Sequence, residues 1–162
     1  MAAGATYEPI ATTTLGSAQS SVTFSSISGS YTDLVLIGNW KLSANGNILM
    51  TLNSDTGTNY SETTMYGDGT SAASGRQTNA SSIRVGFAGY STSNVMNIVN
   101  LQNYSNTTTY KTVVLRWNSE EYTDARVGLW RSTSAITSIT LTASSGNISS
   151  GSTFTLYGIK AA

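Results

Sequence analysis

The sequence predicts an all-β protein, a single-domain antiparallel β-sandwich with jelly-roll-like connections. Apolar residues alternate with Ser, Thr and Asn along almost the whole chain, which is the two-residue period of half-buried β-strands. Turn residues recur between the alternating segments, and no segment keeps a helical period. The 162 residues suit one domain with its own core. We expect a mobile N-terminal arm at residues 1–6 and the sandwich at 7–162.

The alternation divides the chain into eleven strand-like segments. Short strands separated by frequent turns are typical of two-sheet sandwiches and barrels. The segments are 6–14, 20–27, 32–42, 46–53, 60–66, 80–88, 94–104, 110–118, 125–131, 136–143 and 152–159.

Turn chemistry refines this assignment at three places. Asn45-Gly46 lies between apolar residues and predicts a β-hairpin. Residues 67–79 are rich in Gly, Ser, Thr and Ala, and we expect them to form the longest loop. Pro9, the only proline, falls in the first segment, where an edge strand accepts it.

The charge content excludes several classes of function. Eight basic residues balance eight acidic ones, and charged residues make up only 10% of the chain. Without a basic stripe we expect no nucleic-acid binding, and without a polybasic patch no membrane-surface binding. The apolar runs are too short to span a bilayer. An uncharged surface of hydroxyls and amides favours a multimeric or particle-bound protein, because soluble monomers usually carry net charge.

Candidate catalytic residues are sparse, because the chain has no His and no Cys. Glu120, Glu121 and Asp124 form either a solvated turn, which we favour, or part of a Ca²⁺ or acid/base site. Asn53-x-Asp55-x-Gly57-x-Asn59 is a faint calcium-loop pattern with one carboxylate, and a side-chain-capped turn is favoured there. We therefore expect a non-enzymatic protein without metal or cofactor. An enzyme with paired carboxylates is the minor alternative.

Three segments are apolar on both strand faces: 34–37, 95–101 and 154–159. In a sandwich, one face of a strand packs in the core and the other normally meets water. A second apolar face indicates either a covering loop or a subunit contact. The candidate contact residues in these segments are Val95, Val99, Tyr157 and Ile159.

Trp130 is the most informative aromatic residue. It alternates with Arg126, opposite the face of Val127 and Leu129. If the latter two face the core, Trp130 points outward beside Arg126 and Arg131, as Trp and Arg do at binding hot spots and as aromatics do where they stack on sugars. The alternative is that Trp130 packs inside the protein. A contact rim is also expected from tyrosines near turns, namely Tyr60, Tyr66, Tyr90, Tyr104, Tyr110 and Tyr122.

Three stretches resemble a family of small virion proteins of tailed bacteriophages. They are residues 20–40, residues 52–71 with the Asp-Thr-Gly-x-Asn-Tyr-Ser turn, and residues 128–160, which end in Leu-Tyr-Gly-Ile-Lys. The resemblance spans nearly the whole chain in order and spacing. The ending and the turn are its most specific parts.

This resemblance implies a jelly-roll-like sandwich displayed on the virion, usually as a homotrimer. Members of the family act as capsid decoration or cement proteins, or as terminal domains of tail fibres, and the family supplies no catalytic residues. We expect a decoration protein that is made in the host cytoplasm and contacts the major capsid protein or tail components. The alternative is a tail-fibre or baseplate tip that binds a receptor or a host surface glycan.

Overall fold

The computed structural model describes residues 6–89 and 94–160 of the chain. Of the predicted N-terminal arm, residues 1–5 lie outside the described residues, as does Tyr90 of the expected tyrosine rim.

Twelve strands form the described part of the chain, which contains no helix. In chain order they are β1 (Tyr7–Thr14), β2 (Ser21–Phe24), β3 (Asp33–Trp40), β4 (Gly46–Leu52), β5 (Tyr60–Gly67), β6 (Ala72–Ala80), β7 (Ile83–Ala88), β8 (Val95–Leu101), β9 (Lys111–Asn118), β10 (Thr123–Trp130), β11 (Ile139–Ala143) and β12 (Thr153–Ile159).

The strands form two antiparallel sheets of unequal size, which confirms the predicted β-sandwich. The large sheet has the order β1-β12-β3-β8-β9-β10-β5-β6, and the small sheet has the order β2-β11-β4-β7. Most neighbours are distant in sequence. β12, for example, pairs with β1 on one side and β3 on the other. The first and last strands therefore lie side by side in the same sheet.

The core lies between the sheets and consists of the inward-facing residue of each alternating pair. On β4, Ile48, Met50 and Leu52 are fully buried while the residues between them are partly exposed. The same alternation holds along β9 and β12. One continuous cluster of buried apolar side chains joins both sheets. Its burial supplies the main driving force for this fold.

The expectation of a long loop at residues 67–79 is wrong. Residues 72–80 form β6, which pairs with β5 at the edge of the large sheet. The segment showed no apolar alternation because nearly all of its side chains are exposed. Its backbone is held by the ladder to β5, and such pairing is invisible to a hydrophobic pattern.

The prediction of a β-hairpin at Asn45-Gly46 is also wrong. β3 before this dipeptide belongs to the large sheet, whereas β4 after it belongs to the small sheet. The chain crosses between the layers here, and Leu42 makes an isolated bridge to Ile148 on the way. Asn-Gly therefore marks a change of sheet in this protein, because β3 and β4 each find partners elsewhere.

Candidate functional site

The outward surface of the large sheet carries the most exposed apolar side chains of the described residues. Met65, Met96, Val114 and Val127 are 66%, 50%, 41% and 50% exposed. Together with half-buried Ile98 they form a surface that we call the outer apolar face. Val114 pairs directly with Val127, and Ile98 lies in one cross-strand row with Arg116, Ala125 and Met65. These side chains therefore lie on one side of β8, β9, β10 and β5, with Arg116 and Asn100 between the apolar residues of β8 and those of the next strands.

An open depression of about 900 Å³ lies within this face. Its lining includes Met65, Met96, Ile98 and Ala125, and its charged members are Arg116 and Asp124. Contiguous apolar surface of this kind is uncommon on soluble monomers and marks interaction sites.

The three segments predicted to be apolar on both faces lie side by side in the large sheet. They form β12, β3 and β8, which are consecutive in the strand order. Their second apolar sides therefore share one surface, which joins the outer apolar face at β8. Tyr157, Val35 and Ile37 lie on this side by register, Val35 being buried and the other two half-buried. Tyr7 of β1 packs edge-to-face on Tyr157 with ring centroids 6.0 Å apart.

The small sheet presents a different outward surface. Thr23, Thr140 and Thr51 form one cross-strand row there, and the Thr23 and Thr140 hydroxyls are hydrogen-bonded at 3.1 Å. Hydroxyl groups are well hydrated, so this side of the sandwich needs no cover. Among the described residues the two outer surfaces thus differ in chemistry, and the exposed Met and Val side chains lie on the large sheet.

The prediction that Val95 and Val99 are contact residues is wrong, because both are fully buried in the core. The outward residues of that strand are Met96 and Ile98. Tyr157 and Ile159, the other two candidates from these segments, are half-buried and point to the outer side of the large sheet. A contact through Tyr157 and Ile159 stays a prediction, whereas on β8 the two candidates lie on the inner face of the strand.

The prediction that Trp130 faces outward is wrong as well. Its side chain is 2% exposed and stacks on Tyr60 with centroids 6.3 Å apart. The indole Nε1–H donates to Asp55 Oδ2 at 2.7 Å. Val127, assigned to the core, is half exposed. The faces of β10 are inverted relative to the prediction, because the inward face includes a charged residue.

That charged residue is Arg126, which is 6% exposed. Its guanidinium donates to Glu62 Oε1 at 2.8 Å and to Asp124 Oδ2 at 2.9 Å. Arg84 also binds Glu62, through its backbone N–H at 2.9 Å and its Nε at 2.5 Å. Thr64 donates its hydroxyl to Asp124. We call these five residues the Arg126 cluster, since one guanidinium joins the two buried carboxylates.

Arg131 does not join Arg126 and Trp130 in a shared patch. It is half-buried, and its guanidinium donates to the Thr58 carbonyl at 2.5 Å and to the Asn79 side chain at 2.9 Å. These bonds fasten the end of β10 to the loop before β5 and to the end of β6. The structure therefore shows a bracing role for Arg131.

The expected tyrosine rim is divided by burial. Tyr60 and Tyr104 are fully buried, and the Tyr60 hydroxyl lies 3.0 Å from the Leu52 nitrogen, from which it accepts a hydrogen bond. Burial raises the pKa of Tyr60 to about 12. The remaining described members are exposed or half-buried, namely Tyr66, Tyr110 and Tyr122.

The turn at residues 53–59 is capped by its own side chains, as favoured. Asp55 accepts hydrogen bonds from the Gly57 N–H at 2.8 Å and from Asn59 Nδ2 at 2.9 Å. Donation from Trp130 is the main reason that the pKa of Asp55 lies below its usual value. In the described residues, no group of three or more acidic side chains is placed to hold a metal ion.

The predicted acidic turn separates into two environments. Glu120 and Glu121 are exposed between β9 and β10, whereas Asp124 is buried in the Arg126 cluster. Glu62 and Asp124 are thus the acids brought together by the fold, and both accept hydrogen bonds from Arg126.

The chain matches no known protein-family model, and no curated protein sequence matches it significantly. Residues 6–89 and 94–160 include no helix with the length and apolarity needed to cross a membrane.

Proposed function

We propose that this protein is a non-enzymatic structural component of a tailed-phage virion, a capsid decoration or cement protein that acts as a homotrimer. It would be made in the host cytoplasm and would bind the major capsid protein or tail components. The resemblance of residues 20–40, 52–71 and 128–160 to small virion proteins supports this class.

The outer apolar face is the observation that carries the proposal. Three adjacent strands keep apolar residues on their outward side, and further exposed apolar side chains lie on the same side of β9, β10 and β5, as far as Met65. Permanent assemblies typically bury about 2,000 Å² or more in apolar contacts. A broad outward sheet face has the shape and chemistry for contact with sister subunits and with the shell.

The solution mass of the purified protein tests the contact surface. We expect about 51 kDa, three times the 17.0 kDa chain. Val127→Asp places a charge at the centre of the outer apolar face and should shift the mass to 17.0 kDa, because a charge is costly to bury without a partner. Thr23→Asp on the small sheet is the matched control and should leave the mass unchanged.

Location on the particle tests the function itself. Electron cryomicroscopy of the virion should show the sandwich on the capsid, with its large sheet turned toward neighbouring subunits or the shell. A stable monomer that is missing from the particle would overturn the proposal.

The alternative, a receptor-binding fibre or baseplate tip, was argued from an outward Trp130. That indole is buried against Tyr60 and Asp55, so Trp130 does not support a receptor-binding tip. A host-glycan contact needs a different location on the molecule.

A further inference from the structure

The two sheets have four edge strands, which are β1 and β6 in the large sheet and β2 and β7 in the small sheet. The outer side of an edge strand carries backbone N–H and C=O groups that can pair with another chain. Proteins protect such edges with short strands, proline, bulges or covering side chains. A comparison of the four edges therefore shows which of them is open to pairing.

Three of the edges are protected. β1 contains Pro9, which has no N–H, and its register shifts between Pro9 and Ala11. β2 has only four residues. On β7, the Arg84 backbone N–H donates to Glu62 at 2.9 Å, and the Arg84 carbonyl accepts from Arg126 at 3.3 Å. Side chains of the large sheet thus occupy the place of a neighbouring strand at β7.

β6 has none of these protections along most of its length. It is the longest of the four edge strands, with nine residues and no proline. Its pairing with β5 is regular from Ala72 to Gln77, and the register shift lies beyond that segment. Among the described residues no strand pairs with its outer side. β6 is therefore the open edge of the sandwich.

The hairpin before β6 defines which backbone groups are free. The Asp68 N–H donates to the Ser71 carbonyl at 3.1 Å, and hydrogen-bonded pairs alternate with non-hydrogen-bonded pairs along an antiparallel ladder. The β6 residues that bond to β5 are therefore Ala73, Gly75 and Gln77. Those whose backbone groups point away from β5 are Ala72, Ser74 and Arg76. A further strand would find three N–H and three C=O groups there.

Arg76 indicates which kind of strand fits this edge. Its side chain is exposed and has no ion-pair partner among the described residues. Residues directly opposite each other in an antiparallel pair interact, so that opposite charges stabilise the pair and like charges destabilise it. An added strand with Asp or Glu opposite Arg76 is therefore favoured.

The same arginine disfavours a second copy of this chain as the occupant. Arg76 is the central residue of Ala72–Ala80, so full-length antiparallel pairing of two β6 strands places two arginines opposite each other. Such pairing of identical edges also has two-fold symmetry, which does not produce a trimer. The occupant is therefore a strand of a different protein.

The position of β6 connects this edge to the outer apolar face. Ala72, Ala73 and Ser74 belong to the lining of the depression in that face. A strand added beside β6 would extend the large sheet on the side where the exposed Met65 lies. In strand addition, backbone hydrogen bonds supply affinity, and side chains of the added strand supply specificity.

We propose that β6 is a docking edge, to which an extended acidic segment of another virion protein adds as the ninth strand of the large sheet. A carboxylate of that segment lies opposite Arg76. This inference rests on the proposed function, because the shell or the tail supplies the segment. It adds a specific mode of attachment to the apolar contact.

Hydrogen exchange, measured by mass spectrometry on the free protein and on purified virions, tests this mode of attachment. In the free protein, the amides of Ala72, Ser74 and Arg76 should exchange fast, because they have no acceptor. On the virion the same amides should exchange about tenfold more slowly or less, since each gains a backbone hydrogen bond.

Two pairs of variants test the contacts by competition with the wild type for particles assembled without this protein. Ser74→Pro removes an outward N–H, which an edge strand tolerates, and should bind about tenfold more weakly. Ser74→Ala keeps the N–H and is the matched control. Arg76→Glu should weaken binding similarly, whereas Arg76→Lys should not, and this pair keeps the test available if Ser74→Pro does not fold.

The outcomes separate this inference from the proposed function. If the protein is on the virion but its β6 amides exchange as fast as in the free protein, the inference is overturned and the proposed function stands. Absence from the virion overturns both. Slow exchange of these amides in the purified protein alone would show that a second copy occupies the edge, which contradicts the proposed occupant. Equal binding of the two variants in each pair would also contradict it.

Discussion

Replacement of Arg126 by Met gives the sharpest stability test of the inverted β10 strand. The substitution keeps the length and apolar stem of the side chain but removes the two ion pairs at 2.8 and 2.9 Å. Glu62 keeps its contacts to Arg84, whereas Asp124 keeps only the Thr64 hydroxyl. Loss of one partner from a buried pair costs about 3–5 kcal/mol, because the other charge stays buried.

Urea unfolding, with protein concentration held constant, measures this cost. For a chain of this length, a loss of about 3 kcal/mol corresponds to a Tm lower by roughly 6–12 °C. Arg116→Met is the matched control, since Arg116 is exposed on the neighbouring strand, and it should change the free energy of unfolding by no more than about 0.5 kcal/mol. Equal, small effects of both substitutions would refute the buried position of Arg126.

The double variant Arg126→Met with Asp124→Leu extends the reasoning. It removes the charge that the single substitution leaves unpaired, so it should be more stable than Arg126→Met alone. If the two costs simply add, the two residues are not coupled and the described ion pair makes no contribution.

Two further predictions concern the packing of the ends of the chain and the response to alkali. Gly158→Ala places a Cβ about 2.3 Å from the Tyr31 ring, so thermal unfolding should show a free energy of unfolding lower by about 1–3 kcal/mol. Gly16→Ala is the control and should be neutral, because the space around Gly16 is open. Equal melting temperatures of the two variants would contradict the close contact at Gly158. The pKa of Tyr60 is raised from 10.0 to about 12. The protonated hydroxyl therefore stabilises the fold fully below about pH 10, and this stabilisation is lost as pH rises through about 12. The free energy of unfolding should fall by about 2–3 kcal/mol over this range. Tyr60→Phe should flatten this part of the stability profile measured by urea unfolding, and an unchanged alkaline slope would exclude Tyr60 as its source.

The sheet architecture could be predicted because inward and outward residues differ in chemistry along most strands. On β9, Val113, Leu115 and Trp117 alternate with exposed residues, and the structure follows this pattern. The sequence of β6 shows no such alternation, because almost all of its side chains are exposed. Backbone pairing with β5 holds this strand at the edge of the large sheet.

The candidate site was harder to predict, because its key contacts join residues that are far apart in sequence. The local sequence predicts that Arg126 lies on the surface, because its partner Glu62 is 64 positions earlier in the chain. Because residues 126 and 130 share one face of β10, an outward Arg126 also predicts an outward Trp130. The predicted inner and outer faces of β10 are therefore exchanged relative to the structure. The alternation Glu62-x-Thr64 on β5 was a usable signal, since it matches Asp124-x-Arg126 on β10 in both spacing and polarity.

Copy number per virion, from quantitative mass spectrometry of purified particles, tests the central claim most directly. A decoration protein that coats the shell should be present in hundreds of copies. A few copies, or a few tens, would instead place the protein in the tail or fibre, and absence from the particle would contradict a virion role.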